Sequence, residues 1–559
     1  MAGTVIAGAI GECVHVAGIS NFLALAESCG WKTIFLGPAV SIGSFKQAIQ
    51  KELLTTDPND LLVGVSYRLT PENGERLLGI FAEEASAFHE SGVHFAFGGT
   101  PPVVEKANKL SFFEKAFDGS ESPDQVVAYL KGQAAHEFSG QNYPQHMVDR
   151  IQWKAPFPLL RHHFGLPTLE DTRRGIQRIA EAESLDIISL GTDQDAQENF
   201  FHPEKQDPRK KGAGGVPVRS SEDFQQLYAA SRYGNHPLLR AYSGTDDFIR
   251  YAELLTESIH NAWCAIPLFW FNRMDGRGPW DLEGSIREHQ EVMRWYGDRN
   301  IPVELNEPHH WGMRDASDVT FVTAGYLSAY NAKKFKVRDY IVQMMFNSPP
   351  GMSDAMDLAK MLALLELIDP LAAPASGGIS KDGFRIWKQT RTGLLSYPVD
   401  AAGARGHLAS SIYLQMALKP NIVHIVGHSE AHHAATAEEI IEDSRIARRS
   451  ITNALGAPDM TQAPEVIARK QFLIKQAGMT LDGIRAIAAP GVEDPLADPA
   501  TLAKAVTSGI LDAPQLKNNP YAKGQVSTRI VHGACETIDS RGNPVSEEQR
   551  IDKIMRTQE

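Results

Sequence analysis

The sequence predicts an α/β protein in two parts: a doubly wound parallel sheet over residues 1–132 and a (β/α)8 barrel over residues 184–450. Three observations predict it. Apolar runs alternate with helical patterns through the first 132 residues, as parallel strands joined by crossover helices require. After Asp186 the alternation resumes, with eight apolar runs in about 260 residues, the length and count of such a barrel. Most runs in both parts end in polar, Gly- or Pro-containing residues, placing the chemistry at the carboxyl ends of strands.

Taken in order, Thr4–Ile10, Thr33–Leu36, Leu61–Val65 and His94–Phe97 read as strands, and Asn21–Cys29, Gly43–Leu53, Pro71–Ser91 and Pro123–Lys131 as helices. This is the flavodoxin-like arrangement. Residues 133–183 read as a linker with one amphipathic helix, Leu169–Glu183, because Pro144, Pro156, Pro158 and Pro167 interrupt the rest. The barrel strands are expected at Asp186–Leu190, Pro237–Leu239, Ile266–Phe271, Val303–Leu305, Val319–Ala324, Ile341–Phe346, Phe384–Lys388 and Ile422–Val426. The segment Pro208–Gly215 is basic and glycine-rich but lacks the phosphate-loop lysine pattern, and reads as a mobile loop. Residues 451–559 form a helical and closing segment expected to pack on the barrel or on the first domain.

A chain of 559 residues is too long for one core. Its formal net charge of −13 argues against a general nucleic-acid binder. Cys13, Cys29, Cys264 and Cys535 are scattered without a Cys-x-x-Cys pair, so neither a disulfide framework nor a zinc ribbon is expected. With no signal segment and no membrane span read in the sequence, a cytoplasmic protein is expected, acting as a homodimer on a small molecule without nucleic acid or membrane.

The first strand runs into Gly11-Glu12-Cys13-Val14-His15-Val16-Ala17-Gly18, the third into Ser66-Tyr67-Arg68-Leu69-Thr70-Pro71, and the fourth into Gly98-Gly99-Thr100. A histidine, a serine and paired glycines at successive strand ends resemble the cobalamin-binding domain of B12-dependent mutases and methyltransferases. The resemblance implies that His15 is the lower cobalt ligand. It also implies that Gly18, Ser66, Gly98, Gly99 and Thr100 surround the cofactor's nucleotide tail, which glycines admit because they lack a Cβ. Two positions depart from the family: Cys13 stands where an aspartate usually orients the histidine, and Arg68 where many relatives carry leucine. Glu12 is the adjacent carboxylate expected to bend toward the ring.

A cobalamin domain with a barrel resembles the adenosylcobalamin-dependent isomerases. Within them, Ala324–Lys334 and the Gly509–Pro514 tail are similar to the catalytic barrel chain of glutamate mutase (methylaspartate mutase). This implies adenosylcobalamin as cofactor and a carbon-skeleton mutase using its radical on a small carboxylate-bearing substrate; the substrate itself does not carry over. Arg240, Arg273 and Arg391 are the candidate carboxylate partners. Asn272, Asn306, His309, His310, His428 and Glu430 are candidates for orienting polar groups or moving protons. The alternative is a corrinoid-dependent methyltransferase, with His428, Glu430, His432 and His433 holding zinc. A non-catalytic B12 sensor would leave the barrel's polar strand ends without a role. A pyridoxal-dependent aminomutase is disfavoured, because Ile19–Gly30 contains no lysine.

Overall fold

A computed structural model describes residues 3–119, 121, 123–132, 143–372 and 383–556. The chain divides into two compact units, Met1–Ser139 and Gly140–Glu559. Residues 133–142 of the expected linker and 557–559 of the closing segment lie outside the described residues.

The first unit is a five-stranded sheet of β1 (Thr4–Ile10), β2 (Lys32–Val40), β3 (Leu61–Tyr67), β4 (His94–Gly99) and β5 (Lys115–Phe117), in the order β2-β1-β3-β4-β5. Neighbouring strands pair in parallel. All seven residues of β1 are buried, which is why its sequence shows no alternation: both faces are covered by helices. The order reverses between β1 and β3, and ligands bind at such a switch point.

The second unit contains eight parallel strands: β6 (Leu159–Phe164), β7 (Ile187–Leu190), β8 (Leu238–Ala241), β9 (Cys264–Ile266), β10 (Val303–Leu305), β11 (Asp339–Phe346), β12 (Arg385–Thr392) and β13 (Ile422–Ile425). They run in the order β8-β7-β6-β13-β12-β11-β10-β9, and a parallel bridge from Tyr242 to Ala265 nearly closes the ring. It is a (β/α)8, or TIM-type, barrel. Leu159, Ile187, Leu238, Ala265, Ile341 and Ile422 form an apolar floor with Trp263, against which Met147 and Ile151 of the helix Met147–Lys154 pack. Apolar residues seal this end, so polar chemistry is confined to the other.

Two expected elements are corrected. β6 falls inside the stretch read as a linker. Its sequence, LLRHHF, was hidden because Arg161 and His163 line a polar interior and break the apolar run. Conversely, Val319–Ala324 is not a strand but part of the helix Asp318–Lys334. Ser317 caps that helix by accepting a bond from the Thr320 amide at 3.3 Å. The helix is buried almost all round, so it carries no helical periodicity in its sequence.

The glycine-rich loop is fastened rather than free: the Gly212 amide donates to Asp193 (2.9 Å) and the Val216 amide to the Gly191 carbonyl (2.8 Å). Helices Pro464–Ala486 and Pro499–Thr507 pack onto the barrel's helical layer. The hairpin β14 (Thr528–Val531)–β15 (Ala534–Thr537) is held by Asp318, which accepts from the Cys535 amide (3.2 Å) and from Arg469 (2.7 Å). Among the described residues no helix is long and apolar enough to cross a membrane.

Candidate functional site

Two places bring polar groups to the carboxyl ends of strands. In the first unit, His15 lies exposed in the loop after β1, its Nδ1 in a loose 3.8 Å contact with the Cys13 sulfur. Ser66 is buried on β3, in register with Ala9 of β1 and Gly98 of β4. Arg68 is exposed just beyond β3, and Thr100 precedes the helix Pro101–Asn108 without a side-chain capping bond. A Cβ built on Gly18 or Gly98 would meet nothing within 4 Å. Both glycines therefore border open space, and the His15 imidazole is accessible.

Gly99 differs. A Cβ there would sit 2.7 Å from the Phe97 ring and 2.9 Å from the Tyr67 carbonyl, so this glycine serves close packing within the sheet edge. Glu12 also departs from expectation. It accepts bonds from the Tyr67 hydroxyl (2.8 Å) and from Asn73, and these partners, Tyr67 foremost, hold its carboxyl below the ordinary value. It is tied away from His15, which leaves the weakly hydrogen-bonding thiol of Cys13 as the partner of the ring.

In the barrel, alternate residues along each strand face inward. Above the apolar floor they are Arg161 and His163 (β6), Ser189 (β7), Arg240 (β8), Glu304 (β10), Gln343 (β11), Gln389 and Arg391 (β12), and His424 (β13), all buried or nearly so. Glu304 is the hub. Its Oε2 accepts from Trp263 (2.6 Å), Arg161 (3.0 Å) and Arg240 (3.2 Å), and its Oε1 from Asn306 (3.3 Å). Burial opposes its charge, but the guanidiniums of Arg161 and Arg240 outweigh that and hold its carboxyl down at about 2. Burial, with Arg240 nearby, lowers Arg161 to about 9, still charged at neutral pH. Arg161 also donates to Ser189 (2.6 Å) and Gln389 (2.7 Å).

Arg161 and Arg240 therefore share one carboxylate, and Arg391 is a third guanidinium in the same interior. Arg391 has no carboxylate within ion-pair distance among the described residues, only the Thr392 carbonyl at 3.5 Å, and Arg240 leaves Nε and Nη1 unbonded. Three positive charges less one negative gives an interior of about +2. The histidines do not add to it. His163, His309, His310 and His424 are held well below the usual imidazole value, by burial first and then by neighbouring cations and imidazoles, so they are neutral. Gln343, both nitrogens of His424, Asn306 Oδ1 and Nδ1 of His309 and His310 are buried without hydrogen-bond partners. Buried polar groups are nearly always bonded, so this set stands out as unsatisfied in an interior of net positive charge.

Of the sequence candidates, Arg240, Asn306, His309, His310 and Arg391 belong to this interior or its rim, and His428 and Glu430 lie beyond the end of β13. Arg273 does not belong: it is exposed and bonds the Pro279 carbonyl at 2.8 Å. Asn272 is buried in its own turn, bonding the Phe269 carbonyl (2.9 Å) and Ser285 (2.8 Å). The proposed zinc set does not converge, because His428 pairs with Asp443 and the exposed His433 with Glu439. Among the described residues, the one group of three metal-ligand types within 4.8 Å is His202, Asp246 and Asp247. Arg161, His163, Glu304, Gln343, Gln389 and His424 were missed, although single polar residues at alternate places in LLRHHF, VEL and IVHI were the signal.

Glu307, at the start of a short helix after β10, supplies a test of this buried chemistry. Its Oε1 accepts from the Leu268 amide (2.6 Å) and the Phe269 amide, and its Oε2 has no partner. Burial outweighs those bonds and pushes its carboxyl up to about 8 from 4.5. The folded state thus holds the proton more tightly, and the stabilisation is complete below the unfolded value and lost as pH rises toward 8. The slope is about 1.4 kcal/mol per pH unit. Denaturant titrations of wild type should carry this slope, and Glu307→Gln should remove it; an unchanged slope refutes a protonated Glu307.

No protein-family model and no curated protein matches the chain. Among solved structures, the spore coat polysaccharide biosynthesis protein SpsE of Bacillus subtilis is similar over 56% of this chain and 73% of its own, with 10% sequence identity and a TM-score of 0.33. A likeness that remote assigns neither residues nor a reaction.

Proposed function

We propose that this protein is a cobalamin-dependent isomerase, a carbon-skeleton mutase, acting on a small substrate that carries two negative charges as carboxylates. The observation that carries the proposal is the barrel interior of about +2, with unbonded guanidinium nitrogens on Arg240 and no carboxylate beside Arg391. The cofactor half rests on the accessible His15 and the open space at Gly18 and Gly98. His15 would bind the cobalt and Ser66 would meet the nucleotide tail. Bound adenosylcobalamin would supply the radical that starts the rearrangement.

The chain's own residues do the rest. Arg240 and Arg391 bind carboxylates through charge-assisted bonds. Neutral His424, His163 and His309 orient polar groups without adding charge. Trp263 and the floor beneath it close the far end of the barrel, which keeps water from a reactive guest. The methyltransferase alternative loses its metal, since its four expected ligands do not meet.

The test loads the full chain with adenosylcobalamin in the dark and supplies deuterated C4 and C5 dicarboxylates. Deuterium is expected in the cofactor's 5′ carbon. Arg240→Met or Arg391→Ala should weaken dicarboxylate binding by about tenfold or more, the equivalent of roughly 1.5–3 kcal/mol, and leave cobalamin retention unchanged. Turnover with methylcobalamin and a methyl donor, without deuterium transfer, would sink the isomerase reading.

A further inference from the structure

A second polar cluster sits behind the barrel wall, where β6 meets the helix Ala437–Leu455. Arg161 and His163 face the interior, so His162 between them faces outward. Its Nδ1 is 2.6 Å from the His163 carbonyl. A carbonyl only accepts, so Nδ1 carries a proton. Its Nε2 faces two carboxylates, 3.2 Å from Glu430 and 3.9 Å from Asp443.

Asp443 is wholly buried and lies between two imidazoles, its other oxygen 2.6 Å from Nδ1 of His428. Gly427 permits this convergence. A Cβ there would sit 2.5 Å from Asp443 Oδ2 and 2.7 Å from His162 Nε2, so no other residue leaves room for the pair. His428 itself follows β13, at the end of the barrel where such folds hold their active sites. Its Nε2 has no partner among the described residues. The residue is 5% exposed, and its Nε2 is not among the sealed, unpartnered atoms that include His162 Nε2 and Asp443 Oδ2.

We infer that His428 is a general acid–base residue at the mouth of the barrel and that Asp443 is its positioning residue. A carboxylate on Nδ1 fixes the Nδ1–H tautomer and presents the Nε2 lone pair. A proton leaving an O–H, N–H or activated C–H group of the guest binds Nε2. The electron pair of the broken bond stays on the guest, and Asp443 balances the imidazolium. Glu430, partly exposed, and His162 lie on the far side of Asp443. This goes beyond the isomerase reading and needs no cofactor.

The test uses the full chain without cobalamin, so its failure is separate from failure of that reading. With ¹⁵N-labelled histidine, and His428→Gln to assign the signal, His428 should carry its proton on Nδ1. Diethyl pyrocarbonate should add to its Nε2, more slowly than to the exposed His432 and His433 because His428 is 5% exposed. Asp443→Asn should invert the tautomer and slow the reaction about tenfold, and Asp443→Glu should restore both. An Nε2–H tautomer in wild type, or an unreactive His428 beside reactive His432 and His433, overturns the inference without any variant. An Asp443→Asn protein unchanged in both readouts removes Asp443 from its role.

Discussion

Replacing Glu304 with glutamine is expected to destabilise the barrel by about 3–5 kcal/mol, the usual cost of leaving a buried ion-pair network without one partner. The glutamine keeps an oxygen for the Trp263 N–H but removes the single carboxylate shared by Arg161 and Arg240. Chemical denaturation of the full chain, followed by fluorescence of the buried Trp263, Trp270 and Trp311, measures the loss. Adding Arg240→Met to the Glu304→Gln variant should recover part of it, because one uncompensated charge is then gone. A dianion that binds the interior should recover stability as well. The acid limb is fixed by the same group. Its carboxyl is depressed to about 2, so the stabilisation is present above about 4.5 and lost as pH falls toward 2. A loss below about 1 kcal/mol would mean that water already screens the network.

Gly98→Val should reduce cobalamin retention by about a hundredfold, the upper end of a 1–3 kcal/mol overpacking penalty, and leave the sheet folded. Its side chain would project into open space that the protein does not use. Gly99→Val is expected to fail differently: it meets Phe97 and the Tyr67 carbonyl and destabilises the sheet edge itself. The pair separates a glycine kept for a ligand from one kept for packing. Cofactor retention by absorbance and unfolding by circular dichroism read the two effects apart. Normal loading of Gly98→Val would place the nucleotide tail elsewhere. In the cob(II)alamin-loaded wild type, ¹⁵N-labelled histidine should alter the axial splitting in the electron paramagnetic resonance spectrum, and an unaltered splitting would exclude His15.

The alternation of strands and helices in both units is legible in the residues alone. Strands covered on both faces are apolar, and that demand is local to each run, as in TVIAGAI of β1. So is the place of His15, Ser66 and Gly98 at strand ends, because turn residues follow each run directly. Where the barrel turns polar inside, the local signal inverts: β6 carries Arg161 and His163 because it lines the polar interior, and so it did not read as a strand. The buried helix Asp318–Lys334 failed in the opposite sense, apolar on nearly every side and therefore without a period. Which charges share a space depends on long-range packing. Glu304 meets Arg161 across 143 positions of sequence and Arg240 across 64, while Arg273, equally plausible by type, turns to solvent. Closure of the ring makes these pairs and not spacing along the chain, since a strand's sequence sets which residues alternate but only its neighbours set what they face.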